Sequence, residues 1–120
     1  MSLKAYQTTQ QTVEDPRDTE YRLFGQVTRA LIEAKEKDYS GGDLIKALDW
    51  NRSLWRTLAS DCSADGNGLP ENLRAQIVSL SIFVSRHSSV VMRKQASIDT
   101  LIDINRSIMQ GLANKADQAK

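Results

Sequence analysis

Two stretches of the chain carry the same inner face. Leu48-Asp49-Trp50-Asn51-Arg52-Ser53-Leu54-Trp55 is echoed by Ile102-Asp103-Ile104-Asn105-Arg106-Ser107-Ile108-Met109. At about 100° per helical residue, Leu44, Ala47, Leu48, Leu54, Trp55 and Leu58 fall on one stripe centred on Asn51. Ile98, Leu101, Ile102, Ile108, Met109 and Leu112 form the matching stripe around Asn105. An Asn in the middle of an apolar face is costly unless it is hydrogen-bonded. Such a residue commonly sets helix register and partner choice. Asn51 and Asn105 are therefore expected to be structural polar residues that fix register.

The rest of the pattern is helical too. Asp15-Pro16 suits a helix start, since Asp caps free N–H groups and proline is tolerated in the first turn. Leu23, Phe24, Val27, Ala30, Leu31 and Ala34 continue as a stripe to about Asp38, where Ser40-Gly41-Gly42 should break the backbone. A second helix is expected from about Asp43 to Asp61, then a loop at Ser63–Gly68. Pro70 opens a third, to about Arg93, with Leu73, Ile77, Leu80, Val84, His87 and Val91 spaced by four and three. Val78 and Ile82 lie on its other side, so this helix is either central or offers a second face. A fourth, with Ser97 as N-cap, is expected from Ile98 to Leu112. The fold class is all-α: a four-helix bundle or an open helical bundle, with flexible segments at residues 1–14 and 113–120.

The charge balance is neutral, sixteen basic against fifteen acidic residues. That gives no support for a nucleic-acid or membrane partner, because a nucleic-acid binder usually shows a basic excess or stripe. Cys62 is the single cysteine, so neither an internal disulfide nor a cysteine-cluster metal site is expected. Residues 1–30 hold no apolar run flanked by basic residues, and no apolar run approaches the roughly 20 residues that span a bilayer. A cytoplasmic protein is the expectation.

No constellation for catalysis stands out. His87, the one histidine, falls on an apolar stripe and reads as a core residue with one hydrogen bond. Gly66-x-Gly68 lies in a generic turn, and Cys62 at a helix C-terminus lacks the setting that activates thiols. No catalytic, cofactor-binding or metal residue is assigned, and no cofactor is expected. Trp50 and Trp55 are about 140° apart around their helix, so Trp55 reads as core. Trp50, at the stripe edge, is a second core contact or an interface anchor. Arg52 and Arg106 fall just outside the stripes, where an extended guanidinium can reach a carboxylate.

The residues also bring a family into view. Ala5-Tyr6, Asn51-Arg52-x-Leu54-Trp55, Leu69-Pro70 and Ile104-Asn105-Arg106-x-Ile108-x-x-Gly111-Leu112 resemble the FlaF family of flagellar biosynthesis regulators, over nearly the whole length. The resemblance implies a FlaF-like helical domain at residues 15–112 and a non-catalytic role in flagellin production. Its implied partners are flagellin, bound before export by a secretion chaperone, and FlbT. An alternative is a post-transcriptional regulator of flagellin translation, acting through FlbT or flagellin messenger RNA. The candidate partner-binding residues are Trp50, Arg52, Val78, Ile82 and Arg106, lining a groove for an amphipathic flagellin helix.

Overall fold

The computed structural model describes residues 16–64, 66 and 68–118, with side-chain surroundings given between residues 19 and 113. The segment at 1–14 that was expected to be flexible lies outside the described residues. Four helices make up the fold: α1 (Pro16–Glu36), α2 (Gly41–Ser63), α3 (Glu71–Met92) and α4 (Asp99–Gln118). No strand occurs among the described residues. None of these helices is long and apolar enough to cross a membrane.

Helix ends follow their local chemistry, with two departures from the sequence reading. Gly41 and Gly42 form the first turn of α2 instead of a break. Ser40 is extended and Gly41 sits at φ +55°, so the chain makes its sharp entry there, where glycine meets no steric penalty. α4 continues six residues past Leu112, because Ala113, Lys115, Ala116 and Gln118 are good helix formers and no breaker intervenes. Its start is as expected: the Ser97 hydroxyl accepts from the Asp99 N–H at 3.0 Å.

α1 and α3 end in the same way. The Tyr39 N–H bonds the Ala34 carbonyl and the Asp38 N–H bonds that of Lys35, at 2.9 and 3.1 Å. After α3, Gln95 bonds Val90 and Lys94 bonds Val91, at 3.1 and 2.8 Å. Each is a Schellman closure that leaves one residue left-handed, Asp38 at φ 49° and Lys94 at φ 60°. Neither is glycine, so each turn carries some backbone strain. The two strained residues then meet: Lys94 Nζ lies 3.8 Å from the Asp38 carboxylate and 3.4 Å from the Tyr39 carbonyl. Nearby, Lys35 pairs with Asp99 at 2.6 Å and holds its carboxyl below the usual carboxylate range, tying the end of α1 to the start of α4.

α1 packs on both α2 and α4, and α2 packs on α3, while α3 meets α4 least. Phe24, Val27, Leu31, Leu48, Trp55, Leu58, Ile77, Val84 and Leu101 are wholly or almost wholly shielded from solvent. Trp55 is core as expected, with the edge of one ring on the face of the other where it meets Phe24, centroids 5.4 Å apart. Leu80 and His87 are only half-buried, because the flank of α3 toward α4 is the least covered. His87 is thus no core histidine. Its Nε2 lies 3.3 Å from the Ser97 carbonyl, and its ring stacks on exposed Phe83 at 5.1 Å. Leu23, at the edge of the α1 stripe, is 37 % exposed.

The two echoed asparagines meet across the bundle's diagonal, although α2 and α4 make no close backbone approach. Asn105 Nδ2 donates to Asn51 Oδ1 at 2.7 Å and to Thr28 Oγ1 at 3.1 Å. Asn105 Oδ1 accepts from the Trp55 indole N–H at 2.8 Å. The Thr28 hydroxyl lies 3.9 Å from the Met109 sulfur. Both asparagines are fully buried and Thr28 nearly so. The two copies are not equivalent in their bonding. Asn105 uses its whole amide, whereas Asn51 Nδ2 has no acceptor.

That asymmetry yields a prediction from chemical denaturation. Asn105→Leu strands the Trp55 N–H and the Asn51 oxygen together, and should cost about 2–4 kcal/mol. Asn51→Leu removes the orphaned donor while Asn105 keeps Thr28, and should change stability by less than about 1 kcal/mol. Equal losses in the two variants would contradict this hydrogen-bond order. Trp55→Ala, which empties the space against Phe24, should cost about 3–5 kcal/mol; a loss under about 1 kcal/mol would mean that the ring contributes little packing.

Candidate protein-binding surface

Among the described residues, the exposed large apolar side chains are Tyr21, Leu23, Ile45, Trp50, Ile82 and Phe83. Helical geometry sorts the candidate residues among them. Arg52 and Trp50 are two residues apart, so they lie about 200° apart on opposite flanks of the buried α2 stripe. The Arg52 flank faces α3, because Arg52 Nη2 donates to Ser89 Oγ at 3.3 Å. The Trp50 flank therefore points toward the α1 side, with the ring 44 % exposed.

On α3, Arg74, Val78, Ile82, Ser85 and Ser89 fall within about 80° of one another. That line borders α2: Ser89 meets Arg52, the Ser81 hydroxyl donates to the Trp55 carbonyl at 3.4 Å, and Val78 shares a cleft with Cys62. Ile45, Arg52, Arg56 and Ala59 make the facing flank of α2. The structure thus gathers Arg52, Val78 and Ile82 along one α2/α3 groove, with Ile82 55 % exposed and Val78 half-buried.

Trp50 and Arg106 do not join that groove. Arg106 is exposed on α4, on the same side as Met109, which reaches Thr28 of α1. A single face carrying all five residues is therefore not what the bundle presents. The reason lies in the order of packing: α4 sits diagonally from α2, so matching positions on the two echoed helices point to different sides. Sequence reasoning missed Arg74, Ile45 and Phe83. Only the pairing of α2 with α3 puts the first two on a shared groove. Phe83 lacked the spacing of the main stripe, and its exposure follows from the weak meeting of α3 with α4.

At the Arg74 end, the groove widens into an open cleft of about 440 Å³ lined by Cys62, Glu71, Arg74, Ala75, Val78 and Ser79. A second, smaller cleft of about 210 Å³ lies at the opposite end of the bundle, among residues that include Tyr39, Leu44, Lys94 and Ile98. Among the described residues no group of three His, Cys, Asp or Glu side chains is placed to hold a metal ion. The Cys62 thiol is pushed up from its ordinary value, by burial first and then by the negative charges of Glu20 and Asp61. Burial and a raised pKa both hold back the thiolate. Alkylation of the folded protein by iodoacetamide, followed by mass spectrometry, should be at least about tenfold slower than in denaturant. Equal rates would show that the cleft admits reagent to a reactive sulfur.

No curated protein and no solved structure matches the chain. The sequence profile of the family described as flagellar protein FlaF matches residues 2–112, which takes in all but the last part of α4 together with both echoed helices. With that match spanning most of its length, the chain belongs to the FlaF family of flagellar proteins.

Proposed function

We propose that this protein binds flagellin in the cytoplasm before export and promotes its synthesis or secretion without performing catalysis. The observation that carries the reading is the α2/α3 groove, where Ile82 stands exposed beside half-buried Val78 on a bundle of a flagellar family. A groove between two packed helices accepts a third helix whose apolar residues recur every three to four positions. Flagellin's terminal segments are amphipathic helices of that kind, which polymerise in the filament and need shielding until export. Trp50 offers a separate aromatic anchor on the α1 side of α2, of the type enriched at binding hot spots. FlbT is the second partner that family membership brings into consideration, as the route to flagellin translation.

Calorimetry with monomeric cognate flagellin, paired with size-exclusion chromatography, tests the proposal. A saturable complex of defined stoichiometry is the expected result. Ile82→Ala should weaken it by about tenfold while leaving the thermal midpoint nearly unchanged, because the side chain is exposed in the free protein. No heat and separate elution of two folded proteins would reject flagellin and make FlbT the partner to test.

A further inference from the structure

Two arginines of the α2/α3 groove are charged donors without counterions. Arg52 is half-buried and bonds only the Ser89 hydroxyl, and its Nε is shielded from solvent without an acceptor. Arg74, also half-buried, leaves its Nε in the same condition at the edge of the cleft shared with Cys62 and Val78. Neither guanidinium pairs with a carboxylate among the described residues. Glu71 lies on the cleft but forms no ion pair with Arg74. Two unsatisfied arginine donors on one groove are unusual, because a shielded charged donor is costly unless something accepts from it.

Their placement is informative. Arg74 and Ser89, the residue that Arg52 grips, are fifteen positions apart on α3, which sets the two guanidiniums about 22 Å apart along the groove. Val78 and Ile82 lie between them, with Arg56 and Ala59 on the facing flank of α2. The groove thus carries Val78 and Ile82 on α3 and three guanidiniums, Arg52 and Arg74 toward its ends and exposed Arg56 between them, and Arg52 and Arg74 still have fork donors to offer to a planar acceptor.

We infer that the α2/α3 groove is a receptor for an acidic amphipathic helix of a partner protein, whose two carboxylates, about fifteen residues apart, bind Arg52 and Arg74 while its apolar face covers Val78 and Ile82. Each carboxylate accepts from the outer nitrogens of its guanidinium, the ones an incoming helix can reach. The spacing sets the best fit: a helix with only one acidic group meets only one of the two arginines. This deepens the flagellin reading by naming the chemistry of the bound segment, and it holds for any partner that presents such a helix.

The test uses the full-length protein and a fluorescein-labelled synthetic helix of about 22 residues, with a Leu/Ala face and two Glu about fifteen residues apart. A control peptide carries Gln at both places. Fluorescence anisotropy should show the Glu peptide binding at least about tenfold more tightly than the Gln peptide. Arg52→Gln and Arg74→Gln should each erase most of that difference. Arg52→Lys and Arg74→Lys should recover only part of it, since lysine keeps the charge without the fork. Arg29→Gln, exposed on α1, should leave it intact. Thermal melts verify that each variant is folded, and the Lys variants carry the test if a Gln variant is not.

Equal affinity for the two peptides, no binding of either, or binding indifferent to both arginines would overturn the inference. So would arginine-dependent binding of a labelled oligouridine in place of the peptide. The same variants titrated with flagellin separate the two readings. Flagellin binding that ignores both arginines leaves the flagellin proposal standing and overturns the acidic-helix site. Arginine-dependent peptide binding without flagellin binding does the reverse.

Discussion

The orientation of one amide organises the interior of this bundle. The Trp55 indole N–H is a donor with no acceptor capacity, so the Asn105 atom facing it must be the oxygen. That choice turns Asn105 Nδ2 toward Asn51 and Thr28, and makes the Asn51 atom it meets an oxygen as well. Asn51 Nδ2 is then left without an acceptor, and flipping that amide would only set one donor against another. Three helices are keyed to one another through this chain of bonds, including a pair whose backbones never come close. Sliding any of them by one turn would strand several buried polar groups at once. The penalty for wrong register is therefore large, although the net gain of each bond is modest.

The remaining geometry follows from where the helices stop. α1 and α3 both close through left-handed residues at the same end of the bundle, and the Lys94–Asp38 contact joins those two closures. The Lys35–Asp99 pair binds the end of α1 to the start of α4 there as well. Exposed ion pairs contribute little stability, so these contacts act mainly on where the chain turns. The consequence on the flank is an uneven bundle. α2 and α3 lie firmly together while α3 and α4 hardly meet, which leaves Phe83 and His87 stacked in the open and the α2/α3 groove as an ordered, continuous surface.

That groove gives the family assignment a physical counterpart. In a protein of a flagellar family, exposed apolar side chains and arginines without carboxylate partners among the described residues share this groove, and the proposed binding role rests on that arrangement. The strain is modest and local: shielded nitrogens without acceptors and isoleucines left in water.

Much of the fold was legible in the residues. Helical periodicity reports burial directly, since an apolar stripe must face a core; hence the four helices, the buried Trp55 and the central asparagines were all readable. Ser97 and Pro70 marked helix starts because a capping hydroxyl and proline's fixed φ both act locally. The site was only partly readable. Arg52, Val78 and Ile82 do share a groove, but Trp50 and Arg106 face elsewhere, and Arg74 went unseen. A stripe tells which side of a helix is inside and says nothing of which neighbour lies on each flank. Two near-identical stripes cannot announce that one amide will be fully bonded and its twin left short, because that depends on a tryptophan and a threonine brought in by packing. The sequence by itself determined the helices and their inner faces, which are set by contacts within a few residues. Only the tertiary structure decided the cyclic order of helices, the amide network and the arginine-flanked groove, because each is a relation between residues distant in the chain.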